Sequence, residues 1–122
     1  MSAVSTERID TEGGKAVLVV HVDDGKANAL SRATIAEIMS ALDEAEGDET
    51  VGAVVLHGRP GKFSAGFDLS VMGSGDFNAV AALMCDGGDL VRRLYGLPVP
   101  VVRTVGFHVI ATLPLIPPGM PP

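Results

Sequence analysis

The chain has 122 residues, of which 47% are hydrophobic and 20% charged, and a formal net charge of −6, a composition that predicts one globular domain around a single core. The negative balance opposes a sequence-independent grip on phosphate backbones, and 4% aromatic residues without Trp offer little surface for stacking bases, so nucleic acid is not expected as a partner. One cysteine, Cys85, excludes an internal disulfide and any multi-cysteine metal cluster.

The N-terminal "MSAVSTERIDTEGG" has neither the basic start nor the apolar run of a signal peptide, and no stretch approaches the about 18 apolar residues of a membrane span. The expectation is a soluble cytoplasmic protein without membrane contact.

In chain order, Val4 to Ile9 predicts an edge strand, "EGGK" at 12–15 a turn and the β-branched "AVLVVHV" at 16–22 a second strand, together a hairpin. "DDGKANALS" at 23–31 is a polar turn running into small residues. Ile35, Ile38, Met39, Leu42 and Ala45 then recur at helical spacing, with Ser31 as N-cap and Gly47 as stop. "VGAVVLHG" at 51–58 is apolar without alternation, the pattern of a strand covered on both faces.

After the loop "GRPGK" and the stretch "KFSAGFDLS" at 62–70, Phe77, Val80, Met84, Val91, Leu94 and Tyr95 mark a second helix, capped by Asp76 and ending at Gly96 before Pro98. Gly87 and Gly88 within it cost about 1 kcal/mol each relative to alanine, which predicts a bend or fraying there. Cys85 lies in the same pattern and reads as an inert buried thiol.

"VPVVRTV" at 99–105 predicts another buried strand, and the order β, β, α, β, α, β is that of βαβ units in an α/β fold. The last nine residues, "PLIPPGMPP", hold five of the eight prolines, which continue neither a helix nor a central strand. Folded structure is therefore expected over 1–112, with 113–122 a Pro-rich, aberrant or disordered tail.

Several chemistries can be weighed on "KFSAGFDLS". A nucleophile elbow needs glycine two residues before Ser64, where Lys62 stands and would crowd the turn. A phosphate-cradling P-loop fails on spacing, because Phe63 follows Gly61-Lys62 and Leu56 occupies the place of the first glycine. "GSG" at 73–75 lacks the third glycine of a dinucleotide fingerprint, since residue 78 is Asn. His21, His57 and His108 lie far apart and form no ligand pair along the chain, so they read as strand or core histidines and no metal site is expected. What remains is a strand end at 57, a loop, and Ala65-Gly66-Phe67-Asp68-Leu69 turning into a short helix, whose unpaired amides can face an anionic oxygen.

"KFSAGFDLSVM", with "DDGKANALS" some thirty residues earlier and "AVVLHGRPG" immediately before it, resembles the crotonase superfamily, the enoyl-CoA hydratase/isomerase family. The resemblance runs from about Lys15 to Val102 and includes "LYGLPVPVV". It implies an α/β fold of the crotonase-like ββα-spiral type, of which this chain is an incomplete N-terminal portion. It further implies an acyl-CoA substrate, with coenzyme A as part of the substrate, no permanently bound cofactor, and homo-oligomers that are usually trimers or hexamers.

By position in the motif, the backbone N–H of Phe67 is the one implied to donate to the thioester oxygen. The loop "KANAL" corresponds to the coenzyme A contact through Lys26, Ala27 and Ala29, while Ala65, Asp68 and Leu69 match further positions lining that pocket. Arg59 and Lys62 flank it, as partners of coenzyme A phosphates or as solvated loop charges.

Beyond the strand at 99–105 the chain departs from the family. Gly106, His108 and Ala111 are a remnant of its "G-H-x-I-A" stretch, but Leu113-Pro114 replaces the small residues and glycine that open the helix carrying the second oxyanion amide. The family's acid/base carboxylates follow that point, and no Asp or Glu follows Asp89 here. The proline excess favours a truncated or frame-shifted sequence after about residue 103 over a short relative with another role. A catalytically incomplete chain is expected, or alternatively a fragment that binds coenzyme A or pairs with a homologue without turnover. The strand at 99–105 would then present an exposed apolar edge.

Overall fold

β1 (Val4–Asp10) and β2 (Ala16–Val22) form the anticipated hairpin, antiparallel with Val4 opposite Val22 and Asp10 opposite Ala16. The chain reverses between them through Gly14 at φ +83°, a left-handed backbone that a Cβ disfavours. The computed structural model describes residues 3–25, 28–58, 66–105 and 108–112, with backbone alone for 103–105 and 108–112. After the hairpin come β3 (Ala29–Leu30), α1 (Arg32–Glu46), β4 (Val51–His57), β5 (Gly66–Phe67), α2 (Leu69–Met72), α3 (Phe77–Gly96), β6 (Val101–Val105) and β7 (His108–Thr112).

β2, β4 and β6 are parallel neighbours in a five-stranded sheet of order β1-β2-β4-β6-β7, while β3 and β5 form a separate two-stranded ladder. Parallel strands need a long crossover connection, and α1 and α3 supply it, which is the βαβ alternation read from the pattern. β7 is new relative to the sequence reading. It pairs antiparallel with β6, Val101 opposite Thr112, so β6 is not the exposed edge expected of it; β1 and β7 are the edges. β7 ends at Thr112, and the proline-rich 113–122 lie outside the described residues.

α1 begins where its cap predicts. Ser31 Oγ accepts the Thr34 N–H at 3.1 Å, satisfying one of the amides a helix start leaves without a partner. Ile35, Ile38, Ala41, Leu42 and Ala45 then face Leu18, Val20 and Val22 of β2, Val54 and Leu56 of β4, and Val101 of β6. Leu83 and Leu90 of α3 complete this layer. Leu42 and Leu83 are both 0% exposed, and burial of each contributes about 1.5–3 kcal/mol.

Among the described residues only this face of the sheet is covered by helices. On the other, Val17, Val55 and Val102 are half-buried and His57 is exposed, so the double cover predicted for the strand at 51–58 is present on one side.

α3 also differs from its predicted form. It runs without a break through Gly87 and Gly88, because Leu83, Gly87 and Leu90 hold its inner face against the core. Cys85, two residues beyond Leu83 and therefore about 200° around the helix, is exposed rather than buried. Arg32 pairs with Asp86 at 2.6 Å and Arg93 with Asp43 at 2.7 Å, joining the two helices by largely solvated contacts that align them more than they stabilise them. Among the described residues no helix is long and apolar enough to cross a membrane.

Candidate functional site

The loop after β2 is shaped by one buried polar side chain. Asn28 is 1% exposed and takes φ +56°, a region that Asn enters more readily than most residues. Its Nδ2 donates to the Val22 carbonyl at 2.7 Å, its Oδ1 accepts the Asp24 N–H at 2.9 Å, and its own N–H donates to Asp24 Oδ1 at 3.0 Å. Asp23 Oδ1 accepts the Gly25 N–H at 2.8 Å. These bonds aim the chain into β3 and on to the Ser31 cap.

The second motif meets the first there. β5 lies parallel to β3, with Ala29 opposite Gly66 and Leu30 opposite Phe67, and the Asp68 N–H donates to the Leu30 carbonyl at 3.0 Å. Gly66 has φ +93° although a Cβ would meet nothing within 4 Å, so the backbone bend, not space, requires glycine. Successive N–H groups of an extended chain point to opposite sides. The Asp68 N–H faces β3, and the Phe67 N–H is therefore directed away from it.

The amides of Ser70, Val71 and Met72 at the start of α2 are already engaged. Asp68 Oδ1 accepts the Ser70 N–H at 2.9 Å and its hydroxyl at 2.7 Å, while the Asp68 carbonyl accepts from Val71 and Met72. The Phe67 amide, the one the motif singles out, precedes this helix start and takes no part in these bonds. The bond from the Ser70 hydroxyl, followed by that from its N–H, holds the Asp68 carboxyl below the usual carboxylate range. A depressed folded value stabilises the cap above that usual range, with the contribution lost as pH falls through the lowered value. In an acid titration followed by NMR, the Ser70 amide resonance is expected to move with a midpoint below that of a free aspartate; a midpoint at or above it contradicts the cap.

Behind β5, the Phe67 ring packs onto α3 at Gly87, where a Cβ would lie 2.5 Å from two ring carbons. Val22, Leu30, Phe67, Gly87, Leu90 and Leu94 line an apolar cavity of about 170 Å³ at this junction.

Of the residues implied by the motif, the structure brings Ala29, Phe67, Asp68 and Leu69 into one neighbourhood. Ala29 is half-buried in β3, Asp68 caps α2, and Leu69 is 83% exposed. Lys26, Ala27, Arg59, Lys62, Ser64, Ala65 and Gly106 lie outside the described residues. Sequence reasoning passed over Asn28 and took Gly87 only for a weak point of its helix. An Asn amid small residues after a strand was a readable signal for the first. Nothing local marked the second, whose reason lies twenty residues away at Phe67.

The family model described as Enoyl-CoA hydratase/isomerase matches residues 12–112, ten residues past Val102. A probable enoyl-CoA hydratase of Bacillus subtilis is 34% identical over 91 residues, covering 74% of this chain and 34% of its own. A 4-chlorobenzoyl coenzyme A dehalogenase of an Arthrobacter species is 40% identical over 70 residues, 57% of this chain and 25% of that one. Among solved structures, an apo enoyl-CoA isomerase of Mycobacterium tuberculosis superposes with a TM-score of 0.73 at 35% identity, over 84% of this chain and 41% of its own. The chain thus spans well under half of the length of each of these relatives. With the family model matched over most of its length and the paired β3 and β5 motifs in place, this chain belongs to the enoyl-CoA hydratase/isomerase family, and its fold is an incomplete crotonase-like α/β domain.

Proposed function

We propose that the chain acts on acyl-CoA thioesters, with the Phe67 N–H donating to the thioester carbonyl oxygen as negative charge builds there in an enolate-like state. The observation that carries this reading is the β3–β5 ladder, which joins the two motif loops and turns the Phe67 amide away from them. Removing a proton beside a thioester, or adding water to its double bond, places charge on that oxygen, and a fixed amide opposes it. In acyl-transfer enzymes the loss of one such donor costs about 3–4 kcal/mol.

By motif position this reading assigns the coenzyme A contact to Lys26, Ala27 and Ala29 and further contacts of the same substrate to Ala65, Asp68 and Leu69. The relatives support this division of labour. One is named for a 4-chlorobenzoyl and others for enoyl thioesters, and coenzyme A with its thioester is what those substrates share.

This reading assigns an oxyanion donor and a coenzyme A loop and no acid/base carboxylate, so what it expects of these 122 residues is binding and polarisation of the thioester. Isothermal titration is expected to show binding of crotonyl-CoA and of free coenzyme A, with crotonyl-CoA hydration at background. No heat with either ligand overturns the binding site, and turnover well above background overturns the incompleteness.

A second reading, a fragment that pairs with a homologue, is supported by the open sheet face at Val17, Val55 and Val102 and by Phe77, Met84, Val91 and Tyr95 exposed along α3. Co-elution with a full-length homologue on sizing would favour it; independent elution would remove it.

A further inference from the structure

On the sheet face away from α1 and α3, a carboxylate and two imidazoles form a chain across three strands. His21 of β2 and His57 of β4 are direct partners in the parallel ladder. Their Nδ1 atoms are 3.2 Å apart, with ring centroids at 5.2 Å and planes at 88°. Glu7 of β1 reaches His21 from the other side, Oε1 to Nε2 at 2.9 Å. His57 is exposed and the His21 side chain is 33% exposed, so the pair lies at the surface, within reach of a small solute.

A carboxylate accepts, so it holds the His21 proton on Nε2 and leaves the Nδ1 lone pair facing His57. Two nitrogen ligands at about 2.05 Å from a tetrahedral ion stand about 3.3 Å apart, and the two Nδ1 atoms already have that spacing. An ion between them takes the place of the shared hydrogen, which His57 moves to its own Nε2 by changing tautomer, so the exchange between neutral rings balances without an external base. A carboxylate behind one ligating imidazole is also the arrangement that fixes ring orientation and raises ligand basicity in metal sites.

We propose that His21 and His57 bind a borderline divalent transition-metal ion, Zn2+ or a neighbour in the first row, with Glu7 as the positioning residue behind His21. Imidazole nitrogen suits these ions, whereas Mg2+ and Ca2+ prefer oxygen. Among the described residues no group of three or more His, Cys, Asp or Glu side chains converges, so the protein supplies two donors and water completes the shell. His21 is the penultimate residue of β2 and His57 the last of β4. The ion therefore clips together the roots of the two loops that carry the motif residues.

The test titrates the intact 122-residue chain with ZnCl2, with MgCl2 as control, reading heat of binding and thermal melting. One Zn2+ per chain and a raised melting temperature are expected, with no response to Mg2+. His21→Ala and His57→Ala should each weaken binding at least tenfold and Glu7→Gln about tenfold, while His108→Ala leaves it unchanged. A readout without substitution uses paramagnetic Co2+, which should broaden the ring resonances of His21 and His57 before that of His108. Absence of Zn2+ binding, full affinity in a folded His21→Ala or His57→Ala chain, or equal broadening of all three histidines overturns the site.

Discussion

Asn28→Ala is expected to lower the unfolding free energy by about 2–4 kcal/mol, two separable costs added together. The side chain is 1% exposed and engages the Val22 carbonyl and the Asp24 N–H, so truncation strips buried polar groups of partners, a loss of about 1–3 kcal/mol. Alanine at φ +56° adds about 1 kcal/mol of left-handed strain. Asn28→Gly suffers the first cost and escapes the second, so it should be the more stable of the two by about 1 kcal/mol, despite the greater freedom glycine brings to the unfolded chain. Urea unfolding of the three proteins measures both differences. If alanine equals or exceeds glycine, the left-handed turn at Asn28 does not govern this loop.

The contact between Phe67 and Gly87 yields a reversal of sign. In the native background Gly87→Ala forces a Cβ to within 2.5 Å of the ring, a clash of about 1–3 kcal/mol that displaces the ring or the helix. Alanine returns about 1 kcal/mol of helix propensity, so the net change is a loss of up to about 2 kcal/mol. With Phe67→Ala the obstacle is gone, and the same Gly87→Ala change should stabilise by about 1 kcal/mol. A coupling of about 1–3 kcal/mol in the double-mutant cycle is therefore expected. Additive effects would show that the ring does not rest on Gly87. Because the ring anchors β5, the cycle also reports on the support of the Phe67 amide: Gly87→Ala should weaken crotonyl-CoA binding, although it touches only the back of that residue.

The elements that could be read from the sequence are those whose cause is local. Ser31 and Gly47 bound α1, Asp76 starts α3, and the β-branched run at 16–22 is β2 to the residue. Each rests on cap chemistry, helical spacing or strand propensity acting within a few residues. The readings that changed depended on distant partners. The two-residue strands β3 and β5 are too short to show a period, and each exists because the other is beside it. β7, whose β-branched HVIAT is only five residues long, is likewise recognised by its pairing with β6.

Gly87 illustrates the limit within one residue. Its composition predicts a weak point in a helix, whereas the structure uses the missing Cβ as a seat for an aromatic ring. His21 and His57 show the same limit between residues. They are 36 positions apart and carry no ligand spacing along the chain, yet the β2–β4 register places their rings in contact.

The sequence alone determined the strands and helices of the βαβ frame, the family, and the motif in which Phe67 sits, because helix caps, periodicity and a backbone motif are written in neighbouring residues. Only the tertiary structure decided that Asn28 sets the loop, that the Phe67 amide turns away from β3 while the Ser70, Val71 and Met72 amides are taken by Asp68, and that two distant histidines meet. Those outcomes depend on strand register and on the approach of α3 to β5, which arise when the chain closes on itself and leave no periodic trace along it.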